Sequence, residues 1–142
     1  MNDKGNEMDA VDAHIRDHAE RGITLLERLC RQPSVSAQGV GLEEMAALTV
    51  EAMRDYGLTA ELLPGAGGPP LVYAELAGSS PNTILFYNHY DVQPAEPLDE
   101  WTTPPFEPSR REGKLFARGA CDNKGDLPVR LEAIAALRAV RG

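Results

Sequence analysis

The 142-residue sequence has few cysteines, few basic residues and no long apolar run. Its two cysteines, Cys30 and Cys121, form no CxxC pair, so we expect two reduced thiols and no disulfide framework. The 14 basic residues are scattered and outnumbered by 22 acidic ones, which argues against nucleic acid as a partner. The polar, acidic stretch 1–13 lacks the apolar segment of a signal peptide or membrane helix, which predicts a cytoplasmic protein with no membrane partner.

Composition is ordinary for a globular domain, with 42% hydrophobic and 25% charged residues. Apolar residues recur at three-to-four spacing in three segments, which predicts helices over Asp9–Arg31, Leu42–Tyr56 and Asp126–Arg141. Pro33 and Gly57 lie just beyond the first two segments, where such residues end helices.

Four short apolar or alternating segments predict strands: Thr59–Leu63, Leu71–Leu76, Thr83–Asn88 and Lys114–Ala117. The third is almost continuously apolar, as expected for a central strand covered on both faces. Residues 91–112 contain five prolines and predict a long ordered loop of functional importance. Helices alternating with strands predict an α/β sandwich, in which helices flank a mostly parallel or mixed central sheet.

Two polar stretches carry the candidate chemistry. His89 and Asp91 follow the predicted central strand, at the edge where open α/β sheets place ligands, so the imidazole is a candidate metal ligand and the carboxylate its orienting partner. Asp122 lies between Gly119 and Gly125 before the third helix, and its two oxygens could bridge two cations. Spacing alone leaves open a core histidine and a helix-capping aspartate.

The two other histidines, His14 and His18, have the i, i+4 spacing of a helical metal chelate. The residue after His14 is not the glutamate that zinc hydrolases place there. We therefore interpret this pair as part of a solvated helix face.

The sequence resembles the di-zinc family of aminoacylases, deacylases and carnosine-type dipeptidases. The resemblance is carried by the string His-Tyr-Asp-Val-Gln-Pro at 89–94, by Trp101, by Pro105-Phe106, by Gly-Lys-Leu at 113–115 and by the loop 118–125, in that order. The first of these strings is most similar to the dipeptidase branch. Ala117 stands where the family more often has glycine, and Leu127-Pro128 is unusual for the following helix, but neither change touches a candidate ligand.

The resemblance implies specific roles for the candidate residues. His89 would bind one zinc ion, Asp91 would have the catalytic role of steadying the imidazole, and Asp122 would bridge two zinc ions, with Mn²⁺ or Co²⁺ as alternatives. It also implies a cis peptide between Asp122 and Asn123. The implied substrate is a dipeptide or an N-acyl amino acid, and the implied intact protein is a homodimer.

The same resemblance implies that residues 1–142 are the N-terminal part of a catalytic, metal-binding domain. The family's general-base glutamate, its remaining metal ligands and its lid and dimerisation domain would all lie beyond Gly142. We therefore expect a hydrolase that cleaves amide bonds through zinc-activated water, of which this chain is a truncated fragment, inactive alone. Two alternatives remain: a non-catalytic fragment that serves in association, and an N-acyl amino acid deacylase.

Overall fold

Three helices and four strands form the regular structure of residues 3–142, the part of the chain that the computed structural model describes. The helices are α1 (Asp3–Arg31), α2 (Leu42–Asp55) and α3 (Asp126–Arg141), and the strands are β1 (Thr59–Leu63), β2 (Leu71–Glu75), β3 (Ser109–Arg111) and β4 (Lys114–Phe116). Short 3-10 turns cover Ser36–Gln38 and Leu98–Glu100.

All three predicted helices are confirmed, although α1 begins at Asp3 instead of Asp9. Because each helix has one apolar stripe, the three helices bury these stripes together. α1 packs mainly against α3, and α2 packs on the hairpin of β1 and β2. The central cluster of buried side chains comes from all three helices: Leu25, Leu29, Met45, Ala52 and Leu131.

The strands form two separate hairpins. β1 and β2 are antiparallel, with Thr59 opposite Glu75, and β3 and β4 are antiparallel, with Ser109 opposite Phe116. The predicted mixture of helices and strands is thus confirmed. The parallel or mixed central sheet is not, because both sheets within residues 3–142 are two-stranded and antiparallel. β3 lies inside the stretch predicted to be a loop.

The predicted central strand Thr83–Asn88 is wrong for this structure. These residues have no regular secondary structure, and the side chains of Ile84, Leu85 and Tyr87 are 77%, 89% and 82% exposed. A strand exists only where a neighbour supplies backbone partners, and no strand of residues 3–142 pairs with this segment. An apolar run predicts that a segment is buried, but it does not show whether a partner strand is present.

Both cysteines are free, as predicted, with Cys30 buried and Cys121 exposed. Burial raises the pKa of the Cys30 thiol to about 11, so that it stays protonated at neutral pH. Within residues 3–142, none of the helices combines the length and the apolar character that crossing a membrane requires.

Candidate metal site

The two stretches that carry the candidate ligands lie side by side. The Asn88 side-chain amide donates a hydrogen bond to Asn123 Oδ1 at 2.8 Å, which joins the stretches at the residues next to the candidates. His89 Nε2 is consequently 3.0 Å from Asp122 Oδ1. The structure therefore brings together an imidazole nitrogen and a carboxylate oxygen that are 33 positions apart in sequence.

The other ring nitrogen of His89 faces Asp91. Nδ1 lies 3.0 Å from the Asp91 backbone oxygen and 3.1 Å from its Oδ1. A proton on Nδ1 thus has two acceptors, which favours the tautomer with the lone pair on Nε2. His89 and Asp91 are therefore in contact, as the prediction requires, and their roles as ligand and orienting carboxylate stay predictions.

Opposing influences act on the pKa of His89. Burial is the largest and disfavours the charged ring, but the Asp91 backbone oxygen and the carboxylates of Asp122 and Asp91 outweigh it and raise the pKa above its ordinary value. Carboxylates on both sides make this position attractive to positive charge, whether a proton or a metal cation.

Contacts with residues 34 and 35 hold the stretch around His89 in place. Ser34 Oγ donates to the Tyr90 backbone oxygen at 2.7 Å, and Val92 N donates to the Ser34 backbone oxygen at 2.8 Å. Val35 forms a parallel bridge with Val92, and both are buried. The backbone that carries His89 and Asp91 is therefore anchored on the segment after α1.

A buried lysine anchors the turn that carries Asp122. Lys124 is only 2% exposed, and its ammonium donates to the backbone oxygens of Leu29 at 2.9 Å and Gln32 at 2.6 Å. The Leu29 carbonyl lies in the last turn of α1 and the Gln32 carbonyl directly follows the helix, where carbonyls lack helical partners and a cation is favoured. Burial lowers the pKa of Lys124 to about 8.

Glycine is required at both ends of this turn. Gly119 has a φ of +85°, and a Cβ there would lie 2.6 Å from Val92 Cγ1. A Cβ on Gly125 would lie 2.4 Å from the Ala120 backbone oxygen. The two glycines thus permit a tight turn that packs directly on the stretch after His89. The Asp122–Asn123 peptide is cis, as the resemblance implies.

The donor atoms fit part of a metal-ligand set. Zinc lies about 2.0–2.2 Å from histidine nitrogen and carboxylate oxygen, so two donors to one ion must lie within about 4 Å of each other. The 3.0 Å between His89 Nε2 and Asp122 Oδ1 meets that requirement. Across residues 3–142, no group of three or more His, Cys, Asp or Glu side chains is arranged to hold an ion.

Three comparisons agree on what the chain resembles. Residues 85–142, which include both ligand stretches, match the profile of peptidase family M20/M25/M40. A mouse β-Ala-His dipeptidase is 38% identical over 112 residues. Solved structures of an M20 family metallo-carboxypeptidase from Sulfolobus solfataricus and of human carnosine dipeptidase 1 match with TM-scores of 0.79 each, at 40% and 33% identity. Over residues 85–142 the chain is therefore similar to the M20/M25/M40 peptidase family, and this match confirms the resemblance predicted from sequence.

The chain spans only a fraction of the length of these relatives. The alignment with the mouse dipeptidase covers 70% of this chain and 23% of that protein. The Sulfolobus match covers 83% of this chain and 27% of the other, and the human match covers 92% and 31%.

Several residues that shape this candidate site were not predicted from sequence. Lys124 lies in the recognised loop, yet nothing in the sequence indicated that its ammonium is buried against α1. Asn88 directly precedes His89, and its position beside a candidate ligand was the one available signal. Ser36 had no signal, because its partner Asp91 lies 55 positions away. The other two histidines, His14 and His18, lie on α1, with stacked rings 4.0 Å apart.

Proposed function

We propose that residues 1–142 form the N-terminal part of the catalytic domain of a metal-dependent hydrolase that cleaves the amide bond of dipeptides. The observation that carries the proposal is the 3.0 Å approach of His89 Nε2 to Asp122 Oδ1. The names of the mouse and human relatives, β-Ala-His dipeptidase and carnosine dipeptidase, support a dipeptide as the substrate.

In this proposal His89 would be a ligand of one zinc ion, and the Asp122 carboxylate would be a ligand shared by two. Mn²⁺ or Co²⁺ could take the same ligands. When bound, such metals polarise a scissile carbonyl and lower the pKa of water. Asp91 keeps a proton at His89 Nδ1, so that the Nε2 lone pair stays available. The general base and the remaining ligands would come from other parts of a longer protein.

We further propose that segment 83–88 becomes an inner strand of a larger sheet in such a protein. Its apolar side chains are exposed in this chain, and each relative described above is more than three times as long as the part that this chain matches. The segment also leads directly into His89, at the position where strand ends present ligands in open α/β sheets.

The test uses a chain that continues residues 1–142 to the length of the relatives. We expect bound zinc, and release of amino acid from β-alanyl-histidine faster than from an N-acetyl amino acid. His89→Ala should lose both metal and activity, whereas His14→Ala/His18→Ala should keep both. A metal-free wild type would contradict the hydrolase, and preference for the N-acetyl substrate would indicate the deacylase.

One observation favours a second candidate, an association module. Residues 84–87 form a contiguous exposed apolar run, and such surfaces promote association. Size-exclusion chromatography of residues 1–142 separates a monomer from an oligomer. The homodimeric state of the intact protein and its cytoplasmic location stay predictions.

A further inference from the structure

A serine outside both ligand stretches contacts the carboxylate behind the candidate ligand. Ser36 Oγ donates to Asp91 Oδ2 at 2.5 Å, while Asp91 Oδ1 faces His89 Nδ1 at 3.1 Å. Each carboxylate oxygen therefore has its own partner. With His89 Nε2 at 3.0 Å from Asp122 Oδ1, these contacts make a continuous series from Ser36 to Asp122.

Hydrogen bonds and packing fix the backbone around Ser36, although the Ser36 side chain is exposed. Ser36 begins a 3-10 turn that Gly39 closes with a φ of +66°, and on either side of that turn Val35 and Val40 exchange two backbone hydrogen bonds of 2.9 and 3.1 Å. Val35 is 3% exposed and also bridges to Val92. The hydroxyl is thus presented to Asp91 by a fixed turn.

This arrangement constrains a carboxylate that would otherwise rotate. Asp91 is on a stretch without regular structure, and its side chain reaches solvent. A donor on Oδ2 fixes the carboxylate plane and leaves Oδ1 aimed at the ring. The ring orientation that directs Nε2 toward Asp122 then depends on both acceptors of Nδ1, the Asp91 backbone oxygen and this carboxylate.

We propose that Ser36 is a positioning residue for His89 and acts through Asp91. The inference deepens the proposed metal site and rests on it. Ser36 has no direct contact with the cation in this account. Its hydroxyl fixes the orientation of the Asp91 carboxylate, which accepts the hydrogen bond from Nδ1 of His89. The orientation of the ring then determines the direction of the Nε2 lone pair.

Zinc titration of residues 1–142 tests the proposal. Loss of a partner behind a metal-bound histidine weakens metal binding about 10–100-fold, and we expect Ser36→Ala, one contact further away, to weaken zinc binding about fivefold. Ser36→Thr keeps the hydroxyl and should restore affinity. Ser79→Ala, in the exposed segment after β2, should leave it unchanged. Unfolding in urea should show equal stability for all three variants.

A double-mutant cycle separates positioning from a general structural effect. If Ser36 acts through Asp91, Ser36→Ala should change zinc affinity in the wild-type background and leave it unchanged in the Asp91→Ala background. The same loss in both backgrounds would overturn the proposal. So would a Ser36→Ala chain with wild-type affinity.

A metal-free measurement keeps this inference separate from the proposed function. The Nδ1–H proton of His89 should be protected from exchange, and visible by NMR, in the wild type and in Ser36→Thr, and should broaden in Ser36→Ala. An unchanged signal would overturn the role of Ser36 even if zinc binds. Absence of zinc binding combined with the expected broadening would overturn the metal site and leave the positioning contact standing.

Discussion

The buried side chain of Glu132 connects the three helices through hydrogen bonds. It is 6% exposed and accepts hydrogen bonds from Arg21 Nε at 2.9 Å, from Arg21 Nη2 at 2.8 Å and from the Tyr56 hydroxyl. The three residues come from α3, α1 and the end of α2. A carboxylate at this position therefore joins the three helices through polar contacts beside the apolar core.

Replacing Glu132 tests this connection. Glu132→Ala should lower the free energy of unfolding by about 1–3 kcal/mol, because it removes hydrogen bonds to a buried charged group while Arg21 can still reach water. Urea unfolding at pH 7 measures the change. Glu51→Gln is the matched control, since Glu51 is exposed in its pair with Arg28, and it should leave stability unchanged.

The same residue predicts a pH dependence. Burial raises the pKa of Glu132, but hydrogen bonds from Arg21 and Tyr56 and the charge of Arg21 outweigh it, so the pKa lies below the ordinary value. The folded state therefore binds this proton more weakly than the unfolded state. The stabilisation is fully present above the unfolded pKa of about 4.3 and is lost as pH falls through the folded pKa. Glu132→Gln should flatten this acid limb of the stability curve, and an unchanged limb would contradict the assignment.

Among the elements, the helices were predictable because their signal is local. Apolar spacing and the residues that end a helix placed α2 and α3 almost to the residue. The strands β1 and β2 were predictable for the same reason, but their antiparallel pairing was not. Sheet order depends on which strands are neighbours, and nothing local in 83–88 says whether a partner strand is present.

Substitutions of Leu85 and Leu29 compare an exposed apolar side chain with one that is packed in the core. Leu85 is 89% exposed and Leu29 is fully buried. Leu85→Lys should leave the free energy of unfolding unchanged and should reduce self-association in size-exclusion chromatography. Leu29→Ala should cost about 3 kcal/mol through the cavity it leaves. A large stability loss in Leu85→Lys would mean that segment 83–88 is packed in this chain.

The turn that carries Asp122 was recognisable in sequence, but its packing was not. Gly119 lies against Val92, and both its positive φ and this contact exclude a Cβ. Gly119→Ala should lower stability by about 2–4 kcal/mol, combining backbone strain and overpacking. Gly67→Ala isolates the strain, because Gly67 has a φ of +84° with nothing within 4 Å of its Cβ position. If Gly119→Ala and Gly67→Ala lost the same free energy of unfolding in urea, the contact between Gly119 and Val92 would not be tight.

At the scale of the whole molecule, the chain brings together two candidate ligands on a framework of three helices. The candidate ligands could be proposed from sequence, because each lies in a short polar stretch with a distinctive order of residues. Their supporting contacts through Ser36, Asn88 and Lys124 join distant parts of the chain and became visible only in three dimensions. The net charge of −8 further favours cations near this surface.

The most direct test of the shared cation site is paramagnetic broadening by Mn²⁺ in NMR spectra of residues 1–142. At substoichiometric Mn²⁺, the signals of His89 and Asp122 should broaden first and together, and those of His14 and His18 should stay sharp. His89→Ala should abolish the early broadening at Asp122. Broadening centred on His14 and His18, or broadening at Asp122 that persists without His89, would contradict the account.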